Sequence, residues 1–458
     1  MPINDFSSRP LTWQPDPRGL PRPKYLALAS RLERDIESGL LSPGLKLPPQ
    51  RELADWLDLN FTTVTRAYDV CRERGLVYGV VGRGTFVAPL PGERGEDGSR
   101  VLNLGEVQGF PDLGAGYIVD AAREVLARDY TLRLFSYENR DGTARHRAAG
   151  AYWLSRFGAP AKASQVAVFP GVQNALVTIL LAFFHAGDSL AVDAFTYANL
   201  IGAARLTHVR LVPVEGDDEG MLPGALDELA ARTTLRGVFL MPVCSNPETL
   251  TMGAERKAEL ANVMRRRNLI VIEDDAALLP RSTETFFSLL PERTFYLTGN
   301  TRFVSAGLRV AFAASPVAMR DKLLAALHQL TIKTGAFDAE IMSELILGGR
   351  ASEILLKKIE RAREMNRVFG KVFPGERRRS DDVPFFRTVA LPGIRKNGPE
   401  IEQELLAKGV RVCHSCRFSV LPNPGRSFLR LSLSSVSGRA ELAEALDLVK
   451  GWMDNRQK

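Results

Sequence analysis

Arg51-Glu52-Leu53-Ala54-Asp55-Trp56-Leu57-Asp58-Leu59-Asn60-Phe61-Thr62-Thr63-Val64-Thr65-Arg66-Ala67-Tyr68 is the stretch that decides how the N-terminal part folds. Gln50 to Leu57 reads as a short helix with Leu53, Ala54 and Leu57 inward. Asp58-Leu59-Asn60 makes a tight turn, and Asn60 is placed as the N-cap of the next helix. That helix turns Val64, Ala67, Tyr68 and Cys71 inward, leaves Thr62, Thr65, Arg66, Asp69 and Arg72 outward, and ends at Gly75. Upstream, Tyr25, Ala29, Leu32 and Ile36 form one stripe of an earlier helix that stops near Gly39 and the Pro43-Gly44 breaker. Before it, a stretch containing Pro10, Pro15, Pro17, Pro21 and Pro23 reads as an extended arm. Downstream, Leu76-Val77-Tyr78 and Thr85-Phe86-Val87 flank Gly79 to Gly84 and read as a β-hairpin. Two short helices at a sharp turn, followed by a hairpin, outline a winged helix-turn-helix, whose second motif helix enters the DNA major groove.

Leu47-Pro48, Arg51-Glu52-Leu53-Ala54, Thr63-Val64-Thr65-Arg66-Ala67-Tyr68, Gly75-Leu76-Val77 and Gly82-Arg83-Gly84-Thr85-Phe86-Val87 together resemble the GntR-type DNA-binding domain over its whole length. Pro49 stands where many relatives carry Ser, and Phe61 where many carry Arg. Those departures concern which operator is read. Arg51, Arg66 and Arg83 have the chemistry to neutralise phosphates or reach guanine edges. Thr62, Thr63 and Thr65 can donate to phosphate oxygens or touch thymine methyls, and Asn60 and Thr85 complete the expected double-stranded DNA surface. At Gly84 the wing permits close backbone approach.

The chain has 458 residues, 45% hydrophobic and 25% charged, which suits a soluble globular protein of more than one domain. Its longest clean apolar stretch, Ala175 to Phe184, is far short of the ~20 residues a bilayer requires. No positively charged then apolar leader opens the chain, so a cytoplasmic protein without membrane association is expected. Four cysteines are too few for a disulfide framework. Net charge is +7, yet through residue 90 twelve Lys or Arg meet ten Asp or Glu, so the DNA reading rests on motifs rather than charge. Residues 89–100 are proline, glycine and charge without apolar periodicity, a linker. The expected division is therefore a DNA-binding domain at 18–88, the linker, and a large domain at 101–458.

In the large domain, Gln165 to Phe169, Ser189 to Val192, Arg210 to Val214, Gly237 to Met241, Leu269 to Ile272 and Thr294 to Leu297 are β-rich runs alternating with helical segments. That alternation implies an α/β domain with a largely parallel sheet, whose ligands sit beyond the carboxyl ends of the strands. The polar residues after those runs form an ordered set: Tyr137 with Gly142 downstream, Gly171-Val172-Gln173-Asn174-Ala175-Leu176, Ala186-Gly187-Asp188, Thr196-Tyr197, Ser245-Asn246-Pro247, Glu273-Asp274-Asp275, Gly307-Leu308-Arg309 and Leu429-Arg430-Leu431. Their order and spacing resemble aminotransferases of fold type I, the aspartate-aminotransferase-like class of pyridoxal-phosphate-dependent transferases. Joined to the GntR-type domain, the whole chain resembles the MocR subfamily of transcriptional regulators.

The resemblance implies pyridoxal 5'-phosphate as cofactor. The amides of Val172 and Gln173 at a helix start suit its phosphate, with Arg309 and, from a partner subunit, Tyr137. Tyr197 would lie against the pyridine ring, Asn246 would donate to the 3-oxygen, and Asp274 would keep the pyridine nitrogen protonated. Arg430 would fork onto a ligand carboxylate. Because fold type I pockets draw on two subunits, a homodimer is implied, and with it paired DNA half-sites.

The family's defining lysine lies in a Ser-x-Ser-Lys run seven residues before the phosphate arginine. Here Thr298-Gly299-Asn300-Thr301-Arg302 leads to Arg309, so Arg302 takes the lysine's place. Guanidinium stays protonated and cannot supply the neutral amine of a Schiff base, nor shuttle the protons of transamination. Any cofactor is then non-covalent, Arg302 becomes a pocket residue able to hold a carboxylate or phosphate, and no catalytic residue is assigned. Ala277 replaces a tyrosine, and Asn246-Pro247-Glu248-Thr249 replaces Asn-Pro-Thr-Gly. Lys333, in Thr331-Ile332-Lys333-Thr334-Gly335, is the downstream candidate for a substitute lysine, although it follows a long helical segment. Cys413-His414-Ser415-Cys416 lacks a second ligand pair at zinc spacing, so no metal is expected, and Arg377-Arg378-Arg379 reads as a solvated loop. The expectation is a DNA-binding regulator that senses a small-molecule effector, whether the cofactor, its amino-acid adduct or an amino-acid-like anion. The alternatives are an active aminotransferase with a DNA-binding appendage, predicting turnover, and a regulator whose large domain is a cofactor-free scaffold.

Overall fold

A computed structural model describes residues 11–16, 20–37, 40–41, 44–73, 76–80, 84–87, 101–137, 141–275, 284–300, 302–376, 383–394, 396–422 and 425–456. The chain divides into two units, Met1–Val101 and Leu102–Lys458. In the first, α1 (Lys24–Glu37), α2 (Gln50–Trp56) and α3 (Phe61–Glu73) precede the antiparallel hairpin β1 (Val77–Val80) and β2 (Gly84–Val87). Leu53, Ala54, Leu57, Val64, Ala67, Tyr68 and Cys71 are all buried, so the helical stripes read from sequence are the core. On α1 the stripe also takes in Leu28, while Tyr25 is half-buried. Residues 44–47 run beside β2: Leu47 donates to Thr85 O at 2.8 Å and Val87 donates to Leu45 O at 2.9 Å. Gly84, at φ +113°, lies against Lys46, whose Cε would be 3.0 Å from any added Cβ.

Within the proline-rich stretch before α1, residues 11–16 are packed against the rest of the unit. Trp13 is 4% exposed and donates 2.9 Å to Asp35; Thr12 donates 2.6 Å to Lys46 O, and Trp56 donates 3.1 Å to Pro15 O. Prolines stiffen this strap and Trp13 anchors it, a role periodicity does not reveal because the tryptophan stands outside any helix.

The second unit is built on a seven-stranded sheet. Its strands are β3 (Val166–Phe169), β4 (Ser189–Asp193), β5 (Arg210–Val214), β6 (Leu235–Leu240), β7 (Ile270–Asp274), β8 (Thr294–Gly299) and β9 (Ala311–Ala314), in the spatial order β3-β9-β8-β7-β6-β4-β5. All pairings are parallel except those of β9, which runs against both neighbours. Six of these strands match runs read from the sequence. Ala311-Phe312-Ala313-Ala314 escaped because alanine is a poor strand former; its burial between two strands decides the matter. Helices α4 (Val172–Phe183) and α5 (Ala198–Leu206) follow β3 and β4. A separate antiparallel sheet holds β10 (Phe386–Ala390), β12 (Phe428–Ser432) and β11 (Cys413–His414), in that order. The long helix α6 (Arg350–Val372), which lies between β9 and β10 in the chain, buries Ile354, Leu355, Ile359, Ala362, Met365 and Phe369.

Replacing Trp13 with Ala should destabilise the first unit by about 3–5 kcal/mol, the usual range for a buried tryptophan. Trp13→Phe keeps most of the packing and loses only the hydrogen bond, about 1 kcal/mol. Chemical denaturation of the full chain reads both; an unchanged unfolding transition in Trp13→Ala would contradict the packed strap.

Candidate ligand pocket and DNA-reading surface

The pocket collects where parallel strands end. After β3, Gly171 adopts φ +92° and starts the turn into α4, and any Cβ there would lie 2.5 Å from Nη2 of Arg309. The Arg309 side chain therefore lies against the backbone just before the amides of Val172 and Gln173, a helix start suited to an anion. Arg309 itself holds φ +46°, an uncommon backbone conformation for a side chain of its size. Gln173 donates 3.1 Å to Asn199 O, and its buried Oε1 has no partner among the described residues. Val172 packs over Gly299, where an added Cβ would meet Val172 Cγ2 at 2.8 Å.

Beyond β4, Tyr197 stands just before α5, and its hydroxyl accepts from Asn199 Nδ2 at 3.0 Å. Burial and the neighbouring Asp274 push that hydroxyl above its ordinary range, against the pull of Arg302, Asn199 and Arg309. Asp274 ends β7, is 4% exposed and leaves its buried Oδ1 without a partner among the described residues. Burial pushes its carboxyl up to about 7, with Arg302 opposing and Asp275 adding. Asn246, in the loop after β6, is buried; its Oδ1 accepts from Arg430 Nη1 at 3.3 Å. Arg430 is 7% exposed, also donates to Gly105 O, and its Nε is unpartnered among the described residues. Arg302 is half-buried, and its guanidinium and that of Arg430 each lie 5.7 Å from the centre of the Phe386 ring.

Val172, Gln173, Tyr197, Asn246, Asp274, Arg302, Arg309 and Arg430 are thus brought together within one unit. Tyr137 is not among them: it is 83% exposed. Ala277 and Arg377 to Arg379 lie outside the described residues. Lys333 is engaged by Ser136 O. Glu248 pairs with Arg426 at 2.9 Å. His414 is occupied structurally, accepting from Cys416 N at 3.1 Å and lying 2.9 Å from Ser427 Oγ. Lys358 was missed from sequence. It is 1% exposed, donates 3.2 Å to Arg302 O and 3.3 Å to Val304 O, and burial lowers its pKa to about 8. The signal was present, since Lys358 falls on the apolar stripe of α6 beside Ile354, Leu355, Ile359 and Ala362.

In the first unit, Asn60 caps α3: its Oδ1 accepts from Thr62 N at 3.0 Å and Thr62 Oγ1 at 2.9 Å. Thr63 and Thr85 are half-buried. The Thr65 hydroxyl is spent locally, 2.9 Å from Gln50 Oε1 and 3.0 Å from Phe61 O. Arg51 and Arg66 are exposed, the first 5.7 Å from the Phe61 ring centre and the second 4.7 Å from that of Tyr25. Arg83 lies outside the described residues.

The model of the aminotransferase class I and II family matches residues 100–447, more than half of the chain. The chain belongs to the aminotransferase class I and II family. The model described as bacterial regulatory proteins, gntR family, matches residues 24–87. The uncharacterized HTH-type transcriptional regulator YdeF of Bacillus subtilis is 29% identical over 99% of this chain and all of its own length. The vitamin B6 salvage pathway transcriptional repressor PtsJ of Salmonella typhimurium is 29% identical over 64% of this chain and 67% of its own. Among solved structures, the α-aminoadipate aminotransferase LysN of Thermus thermophilus, complexed with N-(5'-phosphopyridoxyl)-L-leucine, is similar with a TM-score of 0.70. It is 23% identical, covering 78% of this chain and 93% of that one, a likeness of fold. This class I and II aminotransferase relative is thus a transcriptional regulator, a GntR-type winged helix-turn-helix fused to a fold type I aminotransferase-like domain. The GntR-type domain implies DNA binding, and no helix among the described residues is long and apolar enough to cross a membrane.

Asp274 gives the pocket a pH signature. Its carboxyl ionises near 3.8 in the unfolded chain and near 7 in the fold. The native state therefore binds the extra proton between those values, and its stability falls as pH rises from about 4 through 7. Asp274→Asn removes that burden, so the variant should be more stable than the parent at pH 8, by up to about 4 kcal/mol, and little different at pH 4. Denaturation at the two pH values checks this; a pH-independent difference would contradict it.

Proposed function

We propose that the aminotransferase-like domain of this regulator binds pyridoxal 5'-phosphate or its amino-acid adduct non-covalently, and reports it to the DNA-binding domain without transaminating. The reading head is residues 18–88, the linker 89–100 and the sensor 101–458. Arg302 carries the reading, because a guanidinium at the position where the family has lysine cannot give up a proton at physiological pH.

The residues present fit the cofactor. The orphaned Asp274 Oδ1 offers a buried acceptor for a ring nitrogen, and Tyr197 supplies an aromatic wall beside it. Arg309 over Gly171, with the amides of Val172 and Gln173, offers a phosphate cup. Asn246 and Arg430, hydrogen-bonded to each other, would meet a 3-oxygen and a carboxylate. When bound, the cofactor supplies an electron-withdrawing pyridine ring; in this chain Asp274 would hold that ring's proton, Arg430 would orient a carboxylate, and no side-chain amine would move protons at Arg302. The unpartnered Asp274 Oδ1 favours this over a cofactor-free scaffold.

A homodimer is supported by the exposure of Leu132 at 84%, Phe135 at 67% and Tyr137 at 83%, an apolar surface that a second subunit would cover. Such a dimer would present two copies of α3 to paired half-sites, with Arg51, Arg66, Arg83, Asn60, Thr62, Thr63, Thr65 and Thr85 as the contacting set. The effector acts on DNA only through a difference in its affinity for two arrangements of the protein.

Arg302→Lys tests the central residue. With pyridoxal phosphate and borohydride, this variant should gain a stable covalent adduct, seen by intact mass and mapped to position 302, that the parent lacks. Adducts on both proteins at another lysine would refute the role of Arg302. Independently, Arg66→Ala should weaken operator binding in a gel-shift titration by about tenfold, the loss of one good base or phosphate contact, while leaving the melting temperature unchanged. Unaltered binding would contradict the placement of α3 on DNA.

A further inference from the structure

The two guanidiniums at Phe386 carry more than the cofactor reading uses. Arg430 is buried, yet its partners are neutral groups, Gly105 O and Asn246 Oδ1 with the Cys413 thiol beside them, and its Nε has no partner among the described residues. Aromatic rings enclose it, with Phe418 5.0 Å and Phe386 5.7 Å from its guanidinium carbon. Burial, with the like charge of Arg302 adding to it, holds this guanidinium below its ordinary pKa, although Cys413 and Glu106 pull the other way. Arg302 makes no side-chain hydrogen bond or ion pair among the described residues, and it lies 5.7 Å from the same Phe386 ring. Asp274 is close enough for Arg302 to feel, but burial favours its neutral form; Glu106 is exposed. Two positive forks therefore share one aromatic ring, and the buried one, Arg430, has no carboxylate hydrogen-bonded to it; an unpaired buried charge is costly.

We propose that Arg302 and Arg430 form a paired receptor for a dicarboxylic acid, one carboxylate forking onto each guanidinium and the aliphatic chain lying along Phe386. This names the effector class of the pocket proposed above and rests on that pocket being a ligand site. A carboxylate matches the planar guanidinium bidentately, which an ammonium at either position would not reproduce. A monocarboxylic acid satisfies one arginine and leaves the other unpaired, so the second acid group is what the site selects.

The test is calorimetric titration of the full chain with glutarate and with butyrate, each with and without saturating pyridoxal phosphate. Glutarate should bind about tenfold or more tightly than butyrate, the worth of one additional charge-assisted hydrogen-bonded contact. Arg302→Met should abolish that preference while retaining weak butyrate binding through Arg430, and Arg430→Met should remove binding of both acids. Thermal melts establish that each variant is folded, and Arg302→Gln, which keeps polarity without charge, should behave as Arg302→Met does. Equal affinity for the two acids, binding of neither, or a glutarate preference that survives loss of Arg302 overturns the proposal. Glutarate preference without cofactor binding would sink the cofactor reading and uphold this one; cofactor binding without glutarate preference would do the reverse.

Discussion

A guanidinium keeps its proton under any condition the cell imposes, and in this protein one such group occupies the centre of a pocket assembled from strand ends. Position 302 lies just beyond β8, close enough to Asp274 and Tyr197 to bear on the ionisation of both. Around a neutral amine, these neighbours would tune a base. Around a fixed positive charge they instead define a recognition field, with one protonatable carboxyl, one phenol whose hydroxyl resists ionisation, and two further arginines. On this account, what remains for the pocket to do is bind selectively and convert binding into a bias on DNA.

The scaffold beneath that field is unremarkable for its class, which is why the departures are informative. Parallel strands bring Gly171, Tyr197, Asn246, Asp274 and Arg302 to one edge of the sheet. Lys358 reinforces the turn there from behind, holding the carbonyls of residues 302 and 304 from inside the core. Its pKa of about 8 shows the cost of placing an amine there. Some of the buried atoms without a partner among the described residues lie at this edge: Gln173 Oε1, Asp274 Oδ1 and Arg430 Nε. Native interiors seldom leave such atoms unmatched, and the proposed ligand would give these three partners.

Much of this was legible in the amino acids. The stripes of α2 and α3 and six strands of the large sheet followed from periodicity, because side chains of those types bury only in that pattern. The candidate pocket residues follow from the order of motifs rather than from any local rule. Other features were not legible. Alanine-rich β9 has little intrinsic strand preference and is fixed by its neighbours. Trp13 anchors a strap that prolines alone describe only as extended. That Arg309 rests against Gly171, that Arg430 is held by Asn246, and that Arg302 and Arg430 share Phe386 are relations between distant segments, and distance in space leaves no periodic trace in the chain.

The central claim is that this pocket holds its ligand without a covalent bond. The most direct measurement is intact mass of the wild-type protein after saturation with pyridoxal phosphate and reduction with borohydride, paired with equilibrium dialysis of the unreduced sample. Saturable retention in dialysis and an unmodified mass after reduction are expected. A stoichiometric mass increase, localised to any lysine of the pocket, would contradict it.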